Sequence, residues 1–405
     1  VASGDEFRFH TDDSSSTARY AIGGFSGSAR AFDVSRFGDV VELATVPSTS
    51  DSCVLRLAGT PGAPRDIYVV GPAGFRSPGA LVGVANQDLH GDPTEAENII
   101  VTHPEFLDQA LRLKAHRERP GHSLRTIVVT TDAIYNEFGG GLASPVAIRN
   151  FLQYRYRNQV TPPGYVLLFG DGDYDYRRIV AKGTNWVPPW ESEESFLPLY
   201  TYPSDDAFAI FNTADRVDMG VGRLTARSVS EASAMIDKII EYETAGARDP
   251  WKLRMTFVAD DGLAEPGADN GFTHVNHAEL VAAKVPRLFE KRKIYMHQYP
   301  TIFAAGGRRK PAVNKAIIDQ MNEGTLVVNY SGHGNPRLWA HENVFVRETD
   351  FPLLSNAGRY YFLVAATCNF SEFDGLNDQS GGEVLLAKPN AGAVAVFSAS
   401  RVVFA

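Results

Sequence analysis

The amino-acid sequence predicts an α/β fold in which two α/β subdomains with parallel sheets follow an antiparallel β domain. Three observations predict this arrangement. Short runs of β-forming residues separated by Gly- and Pro-containing turns fill residues 1–95. From Ile99 onward, apolar strands alternate with segments of helical periodicity, which is typical of parallel sheets. The same alternation begins again after Asp249-Pro250, and 405 residues are too many for one ordinary core.

The N-terminal β domain, residues 1–95, is predicted from runs such as 53–57 and 67–70, with a turn signal at Pro61-Gly62. We expect this domain to be partial. Its residues indicate no function.

The first α/β subdomain, residues 96–248, is predicted from strands and helices that alternate along the chain. The strands are expected at 99–103, 126–131 and 165–170, and the helices at 104–119, 146–156 and 229–243. The last helix carries apolar residues from Ala232 to Ile240 at the spacing of a single stripe. This subdomain has no candidate pair of catalytic His and Cys residues.

The second α/β subdomain, residues 249–405, repeats the pattern. Its first two strands are expected at 255–260 and 293–298, two further strands at the apolar runs 327–328 and 362–364, and its helices at 275–288 and 311–322. Pro311 suits the first turn of the second of these helices.

Two strand ends in the second subdomain carry the candidate catalytic residues. The apolar run 327–328 leads through small and polar residues to His333, and the apolar run 362–364 leads in the same way to Cys368. Open α/β sheets place their functional residues at such carboxyl ends. A free thiol has a pKa of about 8.5 and is mostly protonated at neutral pH, so a nearby imidazole is needed to activate it. The N-H groups of Gly334 and Cys368 are candidate donors to an oxyanion.

The alternative for Cys368 is a small core residue, because free cysteines are among the most buried residue types. The glycine-flanked His333 at the end of the neighbouring apolar run favours catalysis over packing.

The net charge of −9 argues against a nucleic-acid partner. No run of about 18 apolar residues is present, so the chain itself is predicted to be soluble. Two cysteines do not identify a compartment.

A series of segments between Ile99 and Ala405 carries a family resemblance. In order, the segments are THPEFLDQALRLKAHR, TDAIYNEFGGG, AIRNF, LLFGDGDYDYR, YPSDDAFA, MGVGRLTARS, IDKIIEYE, VNYSGHGN, ATCNFSEFD, SGGEVLL and AVAVFSASRVV. Together they resemble the gingipain family of cysteine peptidases. The resemblance implies a caspase-like, gingipain-type pair of α/β subdomains. It also implies that His333 and Cys368 are the catalytic dyad, with Gly334 at the oxyanion site.

The stretch after the cysteine resembles the sortase branch of that family, which belongs to the bacterial type IX secretion system. The residues concerned are Phe370, Phe373-Asp374 and Ser380-Gly381-Gly382-Glu383. This resemblance implies an enzyme that cuts a C-terminal sorting domain from exported proteins and joins the new carboxyl end to anionic lipopolysaccharide. The implied partners are those proteins, the lipopolysaccharide acceptor and outer-membrane secretion components such as PorV. The implied location is the cell surface or outer membrane of a bacterium.

Two other functions remain open. A secreted gingipain-like endopeptidase would use the same dyad and differ only in the acceptor. A non-catalytic surface assembly protein would keep the fold without turnover.

Asp171, Asp173 and Asp175 alternate after a predicted strand and are a candidate metal site. Tyr176 stands where the calcium-loop pattern requires glycine, so the alternative is a turn whose aspartates cap backbone N-H groups. No cofactor is required by the predicted chemistry, and the family resemblance makes calcium a candidate.

Further site candidates follow from the same resemblance and from position. Asp205 and Asp206 lie in the segment similar to the gingipain specificity region and are candidates for binding a basic substrate side chain. Trp339 is a candidate wall of the substrate cleft, with core packing as the alternative. Glu193 and Glu194 are candidates for a third catalytic member that orients His333.

Overall fold

The computed structural model of the chain describes residues 1–36, 38–77, 79, 82–180, 183, 185–192, 197, 200–244, 249–262 and 271–403. The chain forms two compact units, Val1–Asn86 and Gln87–Ala405. The predicted division of residues 96–405 into two subdomains stays a prediction, because both parallel sheets belong to the second unit.

The first unit is built from antiparallel strands. They are β1 (Glu6–His10), β2 (Thr17–Gly23), β3 (Arg30–Asp33), β4 (Val41–Leu43), β5 (Val46–Thr49), β6 (Ser52–Ala58) and β7 (Asp66–Val70). Two sheets form, in the orders β1-β7-β3-β4 and β2-β6-β5. Alternating residues of their strands, such as Leu55, Leu57, Ile67 and Val69, share one buried cluster.

The second unit contains strands β8 to β21 and all seven helices found in the described residues. The strands are β8 (Asn98–Thr102), β9 (Thr126–Thr130), β10 (Tyr165–Phe169), β11 (Gly220–Leu224), β12 (Arg254–Ala259), β13 (Glu290–Tyr295), β14 (Ile302–Ala304), β15 (Gly307–Arg309), β16 (Val327–Ser331), β17 (Gly334–Asn335), β18 (Leu338–Trp339), β19 (Phe345–Val346), β20 (Tyr361–Ala366) and β21 (Ala393–Ser398). The helices are α1 (Leu107–Arg117), α2 (Thr131–Phe138), α3 (Pro145–Asn158), α4 (Val229–Thr244), α5 (Phe272–Lys284), α6 (Pro311–Glu323) and α7 (Gly381–Ala387).

The first large sheet of this unit has the order β11-β10-β8-β9, and all its strands are parallel. Helices cover both faces, as parallel sheets require. Helix α3 buries Ile148 and Phe151 against one face, and helix α4 buries Met235 and Ile236 in the cluster on the other. Helix α3 begins at Pro145, where a missing N-H costs nothing, after the capping side chain of Ser144.

The second large sheet has the order β13-β12-β16-β20-β21 and is also entirely parallel. Helix α6 packs Val313 and Ile317 against Val258 and Val328. Helix α5 covers part of the other face of the sheet. The predicted fold class, two α/β sheets with parallel strands and an antiparallel β domain, is confirmed.

Two smaller sheets complete the second unit, the pair β14-β15 and the three-stranded β17-β18-β19. Within the described ranges, no helix is both long enough and apolar enough to span a bilayer.

A buried lysine joins the helix layer of the first sheet to the second sheet. The Nζ of Lys238 in α4 donates to the carbonyl oxygens of Leu385, Ala391 and Ala393 at 3.0, 3.2 and 2.8 Å. Burial lowers the pKa of Lys238 to about 7. Three carbonyl acceptors oppose that shift, because only the ammonium form offers three N-H donors. We therefore assign Lys238 the charged form at neutral pH.

Lys238→Met is expected to destabilise the chain by about 2–4 kcal/mol, because it leaves three buried carbonyl groups without their donor. Urea unfolding measures the change. Lys315→Met is the matched control: it removes an exposed i,i+4 ion pair on α6 and should cost less than about 1 kcal/mol. Equal stability of the two variants would show that the Lys238 contacts contribute nothing.

Candidate active site

The pairing of two neighbouring strands brings the candidate dyad together. Strands β16 and β20 are parallel, and Ser331 pairs with Ala366 at their carboxyl ends. His333 and Cys368 each follow two residues later. Because paired strands lie about 4.8 Å apart, equal offsets place the two side chains side by side. Both residues line one cavity of about 270 Å³.

Three hydrogen bonds fix the backbone of His333. Its N-H donates to Oδ2 of Asp260 at 2.9 Å. Its carbonyl oxygen accepts from the hydroxyl of Tyr330 at 2.6 Å and from the N-H of Ala340 at 2.8 Å. Asp260 and Tyr330 are fully buried, so the imidazole projects from a rigid support.

The glycines on either side of His333 are required by close contacts. A Cβ at position 332 would lie 2.4 Å from Cβ of Asp260 and 2.5 Å from the Tyr330 hydroxyl. A Cβ at position 334 would lie 2.5 Å from Oγ1 of Thr367, the residue before Cys368. The backbone of Gly334 therefore passes directly against the loop that carries the thiol.

Two further imidazoles surround His333. The rings of His274 and His341 each lie 5.2 Å from its ring, at interplanar angles of 81° and 82°. Burial, together with the nearby His333, lowers the pKa of His341. This shift favours the neutral form of His341.

The two cysteines are both free and lie in contrasting surroundings. Cys368 is partly exposed, and its Sγ lies 3.4 Å from both the nitrogen and the oxygen of Val403. Cys53 is buried in β6, and burial raises the pKa of its thiol. Of the two thiols, Cys368 has the access that a nucleophile needs.

A thiol and an imidazole at the ends of adjacent parallel strands define a cysteine-histidine site of the kind used in nucleophilic catalysis. Comparison with known proteins agrees: the sequence model of peptidase family C25 matches residues 91–405. The chain belongs to peptidase family C25.

Among curated proteins, the chain is similar to gingipain R2 of Porphyromonas gingivalis, at 26% identity over 237 residues. That match covers 57% of this chain and 28% of gingipain R2. Lys-gingipain HG66 of the same organism is 24% identical over 185 residues, which cover 45% of this chain and 10% of that protein. The chain thus spans only a small part of these relatives.

Among solved structures, the chain is similar to the Arg specific cysteine proteinase gingipain R. The TM-score is 0.55 at 22% sequence identity, and the match covers 78% of this chain and 64% of that one. This similarity supports the fold.

The three aspartates predicted as a metal site accept hydrogen bonds from nearby donors. Asp173 accepts from the N-H of Asp175 and from the side chain of Asn185, both at 2.8 Å. Asp175 accepts two further backbone N-H groups, and Asp171 pairs with Arg227. Among the described residues, the groups close enough to share a metal ion all contain Asp260 instead. The capped turn, the alternative considered from the sequence, accounts for these contacts.

Asp205 and Asp206 line a different cavity from that of His333 and Cys368. The carboxylate of Asp205 is bound bidentately by Arg223, at 2.7 and 2.8 Å. Because Arg223 already occupies this carboxylate, a basic substrate side chain would have to displace it. The arrangement does not support the predicted role of Asp205, and the role of the exposed Asp206 stays a prediction.

Trp339 is a core residue, which corrects its predicted place in the cleft wall. It is fully buried and stacks on Tyr330, with the ring centroids 4.2 Å apart and the planes 2° from parallel. It therefore supports the residue that holds His333 and has no surface to offer a substrate.

Glu193 and Glu194, the candidates for a third catalytic member, lie outside the residues that the structure describes.

Asp260 and Tyr330 were not selected from the sequence. Asp260 lies at the end of the strand predicted at 255–260, and its position beside His333 follows from the pairing of β12 with β16, which was not predicted from the sequence. Nothing in the sequence identifies the bond from Tyr330, since it depends on the local turn.

Glu191 lies in a charged group with Asp374 and Arg401, and burial raises its pKa to about 7. A carboxyl whose pKa is raised on folding stabilises the protein at low pH and loses that contribution as pH rises through about 4.5 to 7. The unfolding free energy should fall by about 1–3 kcal/mol over this window. In urea titrations at several pH values, Glu191→Gln should reduce the fall of the unfolding free energy with pH. Glu290→Gln, a substitution at an exposed site, should leave that fall as it is in the wild type. If the unfolding free energy of Glu191→Gln fell with pH as much as that of the wild type, Glu191 would not be the cause of the fall.

Iodoacetamide is expected to modify Cys368 in the folded chain and to leave Cys53 intact, because only the first thiol is accessible. Peptide mass mapping after a time course measures both. In urea the two should react at comparable rates, which controls for the reagent. Equal rates in the folded chain would count against an activated, accessible Cys368.

Proposed function

We propose that this chain cleaves peptide bonds through a Cys368 thioester and transfers the acyl group to an amine, in the manner of PorU, the sortase of the bacterial type IX secretion system. The observation that carries the proposal is the equal offset of His333 and Cys368 from the Ser331 and Ala366 pair. Membership of peptidase family C25 supports the peptidase part.

The first half-reaction forms the acyl-enzyme. His333 takes the proton from Sγ of Cys368, and the thiolate attacks the peptide carbonyl carbon. The N-H groups of Gly334 and Cys368 are the proposed donors to the resulting oxyanion. The contact between Gly334 and Thr367 supports this assignment, because it brings both backbone segments to one place. His333 then gives its proton to the leaving amine, and a thioester remains.

The second half-reaction sets the product. An amine that attacks the thioester gives a new amide, whereas water gives a free carboxylate, and in both cases the thiol is regenerated. The proposed acceptor is anionic lipopolysaccharide, and the proposed substrates are exported proteins with a C-terminal sorting domain. Secretion components such as PorV, a place at the cell surface and bound calcium belong to the same proposal.

Support for transfer rests on the resemblance of the stretch that follows the cysteine. The same residues also have structural contacts: Phe373 lies 5.1 Å from the guanidinium of Arg223, Asp374 pairs with Arg401, and Glu383 caps Ser380. These structural contacts are therefore a sufficient reason for the presence of these residues, without a role in transfer.

A gingipain-like endopeptidase is the second candidate, favoured by the similarity to gingipain R2. In that case water resolves the thioester. The Arg223 and Asp205 pair argues against arginine specificity at that carboxylate in either reaction.

A polypeptide that ends in a sorting domain, incubated with the chain and a primary amine, separates the two candidates. We expect a product whose mass corresponds to the cleaved polypeptide joined to the amine. Cys368→Ala should reduce product by about a thousandfold or more, because it removes the nucleophile, whereas Cys53→Ala should retain it. Only the free acid would favour the endopeptidase, and no product from any variant would contradict both.

A further inference from the structure

Three side chains, one of which is His333 of the candidate dyad, form a cluster that the proposed reaction does not use as a unit. Asp260, His274 and His333 each offer one ligand atom, and these atoms all lie within 4.8 Å of one another. Asp260 and His274 are buried, and His333 is partly exposed.

The sheet order explains why the cluster forms. Asp260 directly follows β12, and its N-H donates to the carbonyl oxygen of Ser331 at 3.0 Å, which extends the pairing of β12 with β16. Helix α5 packs on β12 and β16 and carries His274. Three separate elements thus contribute one side chain each, so the cluster is not the product of a single local turn.

The carboxylate of Asp260 retains capacity for a cation. It accepts N-H groups from Gly262 at 3.1 Å and from His333 at 2.9 Å, one on each oxygen. An ionised carboxylate has about four lone-pair positions, so these two bonds leave others available.

Two imidazoles and one carboxylate are a donor set that suits zinc. Zn²⁺ binds imidazole nitrogen and carboxylate oxygen, commonly with three protein ligands and water in a fourth position. Bonds of about 2.0–2.1 Å in a tetrahedron bring the ligand atoms to roughly 3.3 Å from one another, so the side chains must close slightly around the ion. His274 and His333 also line the 270 Å³ cavity, so a metal ion can reach the cluster from this cavity and a water molecule can occupy the fourth coordination position.

We propose that Asp260, His274 and His333 bind a divalent transition-metal ion of the zinc type, and that the bound ion keeps His333 from accepting the proton of Cys368. The site follows from the three residues alone, whereas the inhibition rests on the proposed function. A metal bound by Cys368 and His333 is the competing arrangement, and it would not need His274.

Zinc binding is tested by calorimetric titration of chelator-treated chain with a zinc salt. His274→Gln and Asp260→Asn should each weaken binding by at least about tenfold, since even outer-shell changes at metal sites cost that much. Cys368→Ala and His277→Gln should bind as the wild type does. His277 is a matched control because it lies on the same helix and lines the same cavity but is outside the cluster. Thermal unfolding without metal checks that each variant is folded.

The competing outcomes are distinct. Loss of binding in Cys368→Ala with retention in His274→Gln would assign the ion to the dyad and overturn the proposal. Equal affinity in all variants would place the ion elsewhere, and no binding by the wild type would also overturn it. Cobalt(II) gives a second measurement: the visible spectrum of a tetrahedral site without a thiolate charge-transfer band is expected, and that band would overturn the assignment.

The inhibition has its own test, separate from binding. Zinc should slow product formation by the wild type, a chelator should restore it, and His274→Gln should show a smaller ratio of the rates without and with zinc. Wild-type binding without any product, in zinc-free buffer, would contradict the proposed function and leave the site intact. Active chain that binds zinc through the cluster but is not slowed would overturn the inhibition alone.

Discussion

The parallel pairing of β16 with β20 is the constraint on which the candidate site depends. Neither His333 nor Cys368 lies in a strand, yet both are positioned by the register of the strands before them. A slip of one residue would turn one side chain to the opposite face of the sheet. The fully buried Val328, Tyr330, Leu363 and Ala365 oppose such a slip, because each would have to leave the core.

The turn after β16 fixes the position of the His333 side chain relative to the sheet. Gly332 passes too close to Asp260 and Tyr330 to carry a Cβ, and the side chains of these two neighbours also bind the backbone of His333. Trp339 in turn stacks on Tyr330. A chain of contacts therefore runs from the core to the imidazole, so substitutions in the core can alter the site without touching it.

Much of the fold could be predicted because its signals are local. Helix α6 begins at Pro311, the residue predicted for its first turn, and the predicted apolar stripe of α4 matches its buried residues. Adjacency of His333 and Cys368 was predictable for the same reason, since both follow apolar strands. Contacts between residues that are distant in the sequence were not predictable. The hydrophobicity of Trp339, for example, fits a cleft wall as well as it fits the core. No local pattern shows that Arg223 neutralises Asp205 across 18 positions in the chain.

The Lys238 contact makes the two parallel sheets parts of a single body. The ammonium group sits in a helix of the first sheet, but all three of its acceptors belong to α7, to the start of β21 and to the turn between them. A fragment that began at residue 249 would retain His333 and Cys368 but lose the donor for those carbonyls. The half of the chain with the candidate dyad is therefore not a transplantable module, and exchange of halves among homologues would need this lysine and its acceptors to be inherited together.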